Sequence, residues 1–420
     1  MKQQAVLVVG IIIFTFTPSV WGSQQPSDAN NLVKLEDYLQ YASLNSANLK
    51  AMFEQWRAAL EEVPQAKALP DPQFSYEYWT KQSDLQMKQT VGIMQMFPWF
   101  GKIDARTKAA AKSAEAEQQK YQAARLALFK EVKEGFYEFA YLARATEAAA
   151  ENLELLRHFE EVARTKHMTT ETGHPDVIRA QVEIAKMEDV LRGLDQLREP
   201  TMSRLRMVLT LPQDTNLPWP KQEQFEALPL DYERLVTLLV QKNPELAGLN
   251  FEAMAARSQI ELAKKNFYPD IGVGVMWENM DSREGRDGVA MVFQMNLPLW
   301  RDSYSAGQRQ AQARKVSIEQ QKIDTENVLL TKAAQAYYEY KDSARKIRLY
   351  REMLIPKTKE LLQASEAAYR SGMVDFLSLI DAQRMLLEYY LSYERALVDN
   401  RQKLAELEML TGTELDSIHK

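Results

Sequence analysis

The chain has 420 residues, 45% hydrophobic and 26% charged, with a formal net charge of −6, 15 Gly and 16 Pro. It is too apolar for a disordered chain, too poor in Gly and Pro for a turn-rich β-sandwich, and lacks the basic block that nucleic acid requires. With no Cys, and four His in no HExxH or other ligand spacing, disulfides, thiolate sites, a lipid-anchored N-terminal Cys and a hydrolytic metal centre fall away, so neither an enzyme, a cofactor nor a metal site is expected.

Residues 1–22 are predicted to be a signal peptide. Lys2 supplies the positive charge, Ala5 to Phe16 the apolar run, Pro18 the break, and Val20-Trp21-Gly22 the cleavage site. The run is shorter than a spanning helix needs, although an uncleaved anchor is the alternative. No later stretch is apolar enough to cross a membrane as a helix. An exported chain without Cys suits the bacterial periplasm or outer membrane, and strands closed into a barrel are then the remaining way to span.

The rest is one unit written twice: a first repeat at 23–211, a linker at 212–229, a second repeat at 230–412 and a tail at 413–420. Phe136-Tyr137-Glu138-Phe139, followed by Ala143-Arg144, returns as Tyr337-Tyr338-Glu339-Tyr340 and Ala344-Arg345. Phe97-Pro98 returns as Leu297-Pro298, Pro72 as Pro269, and Asn45 is answered by Asn243. Pro212, Pro218, Pro220 and Pro229 mark the linker. Each repeat is predicted to run helix, strand pair, very long helix, turn, long helix. Phe129, Val132, Phe136, Phe139 and Ala143 step by three and four, as do Leu330, Ala333, Tyr337, Tyr340, Ala344 and Ile347. That is the narrow seam of antiparallel coiled-coil packing.

Strands are predicted at about 73–81, 88–97, 270–278 and 288–297, joined by hairpin loops at Thr80 to Gln89 and Asn279 to Asp287. Phe74, Tyr76, Tyr78, Val91, Ile93, Ile271, Val273, Val275, Met291 and Phe293 share one apolar phase, the face expected to meet lipid. Met94 and Met96 fall on the opposite face; Met suits Cu(I), but ordinary packing is the reading taken. Tyr78, Trp79, Phe97, Trp99, Trp277 and Trp300 sit towards segment ends, where an aromatic girdle belongs. The fold class expected is mainly α with a small β part: long antiparallel coiled-coil helices and four transmembrane strands. Four strands cannot close a barrel, and an open edge is not tolerated in lipid, so several chains must share one wall. Three chains give twelve strands. The soluble alternative is a periplasmic coiled-coil adaptor or scaffold with hairpins packed on a bundle.

Further motifs are Leu69-Pro70-Asp71-Pro72, Phe97-Pro98-Trp99-Phe100-Gly101-Lys102, Asp176-Val177-Ile178-Arg179-Ala180-Gln181, Tyr369-Arg370-Ser371-Gly372 and Leu379-Ile380-Asp381-Ala382-Gln383. In this order they resemble the TolC-type outer-membrane efflux family, the Phe-Pro-Trp-Phe-Gly-Lys stretch being most similar to members of heavy-metal resistance-nodulation-division systems. The resemblance implies a homotrimeric channel-tunnel in the outer membrane with a periplasmic helical tunnel. It also implies a periplasmic adaptor and an inner-membrane pump that supplies the energy. Tyr369, Arg370, Ser371, Gly372 and Met373, with Gly173 at the shorter first tip, then match the adaptor contact. Asp176 and Asp381 match the acidic pore constriction, with Asp375 added because Ser378 replaces another Asp. Helix capping is the competing role for Asp176 and Asp375. His167 and His174 flank the first tip and are read as solvated turn residues.

Overall fold

The computed structural model describes residues 32–79, 87–169, 174–221, 228–280 and 287–415. The expected signal peptide and Gly173 lie outside them, as do most of both strand-connecting loops. In chain order the elements are α1 (Leu35–Asn45), α2 (Ala47–Lys67), β1 (Gln73–Tyr78), β2 (Met87–Phe97), α3 (Lys102–Thr169), α4 (His174–Leu209), α5 (Tyr232–Lys242), α6 (Pro244–Lys265), β3 (Ile271–Met280), β4 (Gly288–Met295), α7 (Arg301–Leu349), α8 (Ile355–Ser371) and α9 (Phe376–Thr411). A π-helical turn, Tyr350–Leu354, joins α7 to α8.

α3 has 68 residues, about 100 Å at 1.5 Å per residue. Its first part packs on α2 and α6: Trp56 stacks on Tyr121, and Lys120 pairs with Glu252 at 2.9 Å. Its later part packs on α4 and α9, with Arg395 donating to Glu138 at 2.9 Å and Gln383 bonded to Asn152. The long helices are thus flanked by α2 and α6 towards the sheet and by α4 and α9 towards the far turns.

The two shorter sets meet where capping residues demand it. Ser46 accepts from the Leu49 N–H and starts α2; Asn243 accepts from the N–H groups of Glu245 and Leu246 and starts α6. Asn243 also donates to the Leu410 carbonyl at 2.9 Å, so one side chain serves the start of α6 and the end of α9. The repeat therefore equates Asn243 with Ser46 rather than Asn45, which is the last residue of α1.

The seam is shifted from the expected one. Buried positions on α3 are Leu128, Val132, Phe136, Phe139 and Leu142, and on α7 Leu329, Ala333, Ala336, Tyr340, Ser343 and Ile347. Phe129, Ala143, Leu330, Tyr337 and Ala344 are only half-buried. Size does not decide the choice: Leu142 is buried ahead of the smaller Ala143, and Ala336 ahead of the larger Tyr337, so the packing partner sets the seam. A Cβ on Gly135 would stand 2.7 Å from the end of the Leu205 side chain, so the glycine leaves room that this side chain of α4 occupies. The π turn has a local cause. Pro356 cannot donate to the Glu352 carbonyl, and its ring crowds that carbonyl, so the hydrogen-bond register slips.

The four strands form one antiparallel sheet in the order β1-β2-β3-β4. β4 stops at Met295, short of the expected 297, and β1 runs to Tyr78, its expected end at 81 lying outside the described residues. Pro298 has no N–H to extend the ladder, and Asn296 turns its side chain onto the Asp270 N–H. Among the described residues, the outer edges of β1 and β4 pair with no strand.

Candidate functional site

The register makes the two faces chemically different. Phe74, Ile93, Val275 and Met291 form one cross-strand row, and Tyr76, Val91, Trp277 and Val289 the next. Ile271 and Val273 share this face with Phe293 and Met295. It lies open: Phe74 is 71% exposed, Met291 70% and Phe293 71%, with Tyr76, Tyr78 and Ile93 also exposed. Val91, Ile271 and Val273 are half-buried. Gln89, Gln95 and Asn279 are polar positions on this face, and the Gln95 amide donates to the Pro70 carbonyl at 2.7 Å. The opposite face carries Ser75, Glu77, Thr90, Glu278 and Gln294, with Met94, Met96 and Met276 among glycines. Met94 and Met96 both lean over Gly272, filling the space it leaves. Glu77 and Glu278 lie on one cross-strand row through Thr90. They were legible only as polar positions in phase.

Below the sheet, a buried ion pair ties the repeats. Lys102, 5% exposed, donates to Asp270 at 2.7 Å and to the Tyr268 carbonyl at 3.0 Å. The same Asp270 oxygen accepts the Trp99 N–H at 2.7 Å, and Trp99 stacks on Tyr268 at 5.3 Å. The Phe-Pro-Trp-Phe-Gly-Lys stretch is thus the strand-to-helix joint of the first repeat, bonded to the residues that begin β3.

At the far end, α3, α4, α8 and α9 meet around Tyr369. Gly372, at φ 80°, ends α8 in the left-handed conformation, and the Met373 N–H closes back on the Ala368 carbonyl at 2.9 Å. That turn presses Tyr369 inward to 1% exposure. Its hydroxyl donates to Asp176 of α4 at 3.1 Å, its carbonyl accepts from Lys166 of α3 at 2.8 Å, and its ring meets Phe376 of α9 edge-on at 5.3 Å. Lys166 also sits 4.1 Å from the ring centre. Burial, reinforced by the Asp176 charge, pushes the Tyr369 phenol well above its ordinary value, so it stays a neutral donor. Tyr369 is therefore a buried keystone rather than a surface for a partner. Arg370, Ser371, Gly372 and Met373 are exposed, Met373 to 81%.

The three acidic positions differ. Asp176 is the third residue of α4, inside the first turn, so its carboxylate meets Tyr369 rather than serving as the N-cap residue. Asp375 is the N-cap of α9; the Ser378 hydroxyl and N–H both bond to it and hold its carboxyl below the usual carboxylate range. Asp381 projects from α9, 55% exposed, with Arg384 at 3.6 Å. Arg384 in turn grips Glu183 of α4 by two hydrogen bonds, at 2.6 and 3.1 Å. Burial opposes the Glu183 charge, yet bonds from Arg384 and Lys186 hold its carboxyl below the usual range. Glu183 went unnoticed in the sequence, where it is one acid among many on a helix. His167 and His174 are not two separate turn residues: their rings face each other at 5.5 Å, and the His167 Nδ1 is buried.

A helical shaft with a four-stranded amphipathic sheet at one end and capped turns at the other is the architecture of outer-membrane channel-tunnels. The profile of the outer membrane efflux protein family matches residues 38–206 and 235–413, one stretch per repeat, and the chain belongs to that family. It is 21% identical over 402 residues to the cobalt-zinc-cadmium resistance protein CzcC of Cupriavidus metallidurans, covering 92% of each chain. It is 25% identical over 272 residues to the alkaline protease secretion protein AprF of Pseudomonas aeruginosa, covering 61% of this chain and 53% of AprF; the match thus spans about half of that relative. The fold is shared with the outer membrane protein VceC of Vibrio cholerae, with a TM-score of 0.74 at 17% identity over 90% of this chain and 96% of that one. The protein is an outer-membrane efflux channel with a periplasmic helical shaft.

Proposed function

We propose that three copies assemble into a passive conduit that takes cationic cargo, heavy-metal ions in particular, from an inner-membrane pump to the outside. The observation that carries it is the sheet: an exposed apolar face bounded by two edges that, among the described residues, pair with no strand. In lipid such edges cost several kcal/mol for each unsatisfied group, and joining β4 of one copy to β1 of the next satisfies them. Twelve strands then surround a lumen lined by Glu77, Glu278, Ser75 and Gln294, while Phe74, Tyr76, Tyr78, Val91, Ile93, Ile271, Val273, Val275, Met291 and Phe293 face lipid. Carboxylates in a low-dielectric wall concentrate cations. The similarity to CzcC along nearly all of both chains supports the choice of cargo.

At the periplasmic end, Asp381 narrows and charges the passage, and Asp375 adds its charge while capping α9. Asp176 holds the closed arrangement through Tyr369. Arg370, Ser371, Gly372 and Met373 meet the helical hairpin of an adaptor protein, with Gly173 at the other tip.

The absence of Cys makes the assembly directly testable. Cysteine pairs scanned along the outer edges of β1 and β4 are expected to cross-link chains into a species of three subunits in the outer-membrane fraction. A single-subunit product, or recovery in the soluble periplasmic fraction, would overturn the assembly. In planar bilayers, Asp381→Ala is expected to enlarge leak conductance and weaken cation preference. Loss of zinc, cobalt and cadmium tolerance in a deletion strain, restored by the intact gene, is the outcome expected for the cargo.

A further inference from the structure

His167 lies two residues before the end of α3, and His174 is the first residue of α4. The hairpin brings their rings to 5.5 Å between centroids, with a 42° tilt. That spacing has a chemical meaning. A divalent transition metal binds imidazole nitrogen at about 2.0–2.1 Å, which places each ring centroid about 3.2 Å from the metal. Two such rings at a tetrahedral or slightly wider angle stand about 5.2–5.6 Å apart.

A second observation is independent of the spacing. The Nδ1 of His167 is closed off from solvent and has no hydrogen-bond partner. A buried polar atom without a partner is costly, and it calls for a group that satisfies it. Lys166, the residue before His167, sets its ammonium on the Tyr369 carbonyl and ring.

We propose that His167 and His174 form a two-imidazole site for a borderline divalent cation of the Zn²⁺, Co²⁺, Ni²⁺ or Cu²⁺ class, at the turn between α3 and α4. Among the described residues no cluster of three or more His, Asp or Glu suited to a metal gathers anywhere. With two imidazoles as the donors named, coordination positions stay open, and the site is exchangeable rather than a closed structural one. Imidazole is the donor at both positions, so Ca²⁺ and Mg²⁺, which take oxygen ligands, bind poorly here. Bound metal pins the last turn of α3 to the first turn of α4, next to the Asp176–Tyr369 bond. The site goes beyond the conduit reading and does not depend on it, because neither His is among the residues assigned to conduction.

The test uses the full chain in detergent, purified on a tag without histidine and stripped with chelator. Zn²⁺ alone is titrated calorimetrically. One site per chain is expected, weakened at least tenfold in His167→Gln and in His174→Gln, and unchanged in His158→Gln. Variants are compared at matched helical signal and matched subunit mass. With one equivalent of Cu²⁺, the electron paramagnetic resonance spectrum should show coupling to two imidazole nitrogens in the parent and fewer in either single variant. Zn²⁺ should also slow amide exchange across 165–178 in the parent alone. Equal zinc titrations for the parent and the His167→Gln/His174→Gln double variant would overturn the site, as would full retention in either single variant.

Discussion

Tyr369 shows how one residue joins four helices. Its hydroxyl, carbonyl and ring engage α4, α3 and α9 from its place on α8. Tyr369→Phe keeps the ring and removes the donor, leaving the Asp176 carboxylate without that partner. The expected cost is about 1–2 kcal/mol, confined to the tip. Amide exchange should rise across the first turns of α4 while protection near the sheet is unchanged; uniform loosening of the whole chain would contradict the keystone role. Lys102 is the corresponding residue at the sheet end. Lys102→Met keeps the packing of the stem but strands the Asp270 carboxylate, which is 27% exposed and thus partly screened. A loss of about 2–3 kcal/mol is expected, below the full penalty for breaking a buried pair. Asp270→Asn retains an acceptor for the Trp99 N–H and should cost less. Thermal dissociation of the assembled protein reads both, and equal losses would mean that burial of charge is not what matters.

Among elements, the join of α4 to α9 is electrostatic as well as apolar. Glu183 has its carboxyl held below the ordinary value of 4.5, mainly against its burial, by Arg384 and Lys186. A depressed folded-state pKa means the contribution is present above the unfolded value and is lost as pH falls through the folded one. Exchange protection where α4 meets α9 should therefore weaken below about pH 4.5. Glu183→Gln should be weaker at neutral pH and should lose that dependence. An identical acid response in this variant would reassign the effect to other carboxylates. The π turn offers an element-scale test of a different kind. Pro356→Ala restores a donor for the Glu352 carbonyl, so α7 and α8 should fuse into one α-helix with a protected amide at 356. Persistence of the π turn would place its cause in packing rather than in proline.

For the whole molecule, the two sheet faces predict opposite tolerances. Val275→Arg places a charge on the outward face and should cost about 2–4 kcal/mol, with folded, membrane-inserted protein reduced. Gln294→Arg lies on the opposite face, the one proposed to line the lumen, and should insert normally, shifting ion preference instead. Equal effects would argue that the faces are not lipid and lumen. The shaft depends on the repeat: each half supplies one full-length helix path, one shorter helix beside it at the tip, and one near the sheet. Asn243 joins α6 to the end of α9, and a Cβ on Gly412 would stand 2.5 Å from the Lys242 carbonyl. The relay at mid-height is thus fitted to within a methyl group.

Period and punctuation carried most of the architecture. Strand alternation is a two-residue pattern, so Phe74, Ile93, Val275 and Met291 could be put on one face without knowing their neighbours. The long helices were legible because no Pro or Gly other than Gly135 interrupts Lys102 to Thr165. Tertiary structure decided what depends on residues far apart in the chain. Leu128 rather than Phe129 forms the seam because the phase of burial follows the helices packed on α3, not the size of the side chain. Tyr369 is buried because three other helices converge on it, though its motif reads as a surface turn. Asp270 answers Lys102 across 168 positions, and the facing of His167 and His174 depends on where a turn closes. Local pattern determines which face a side chain takes; only packing in three dimensions determines what that face meets.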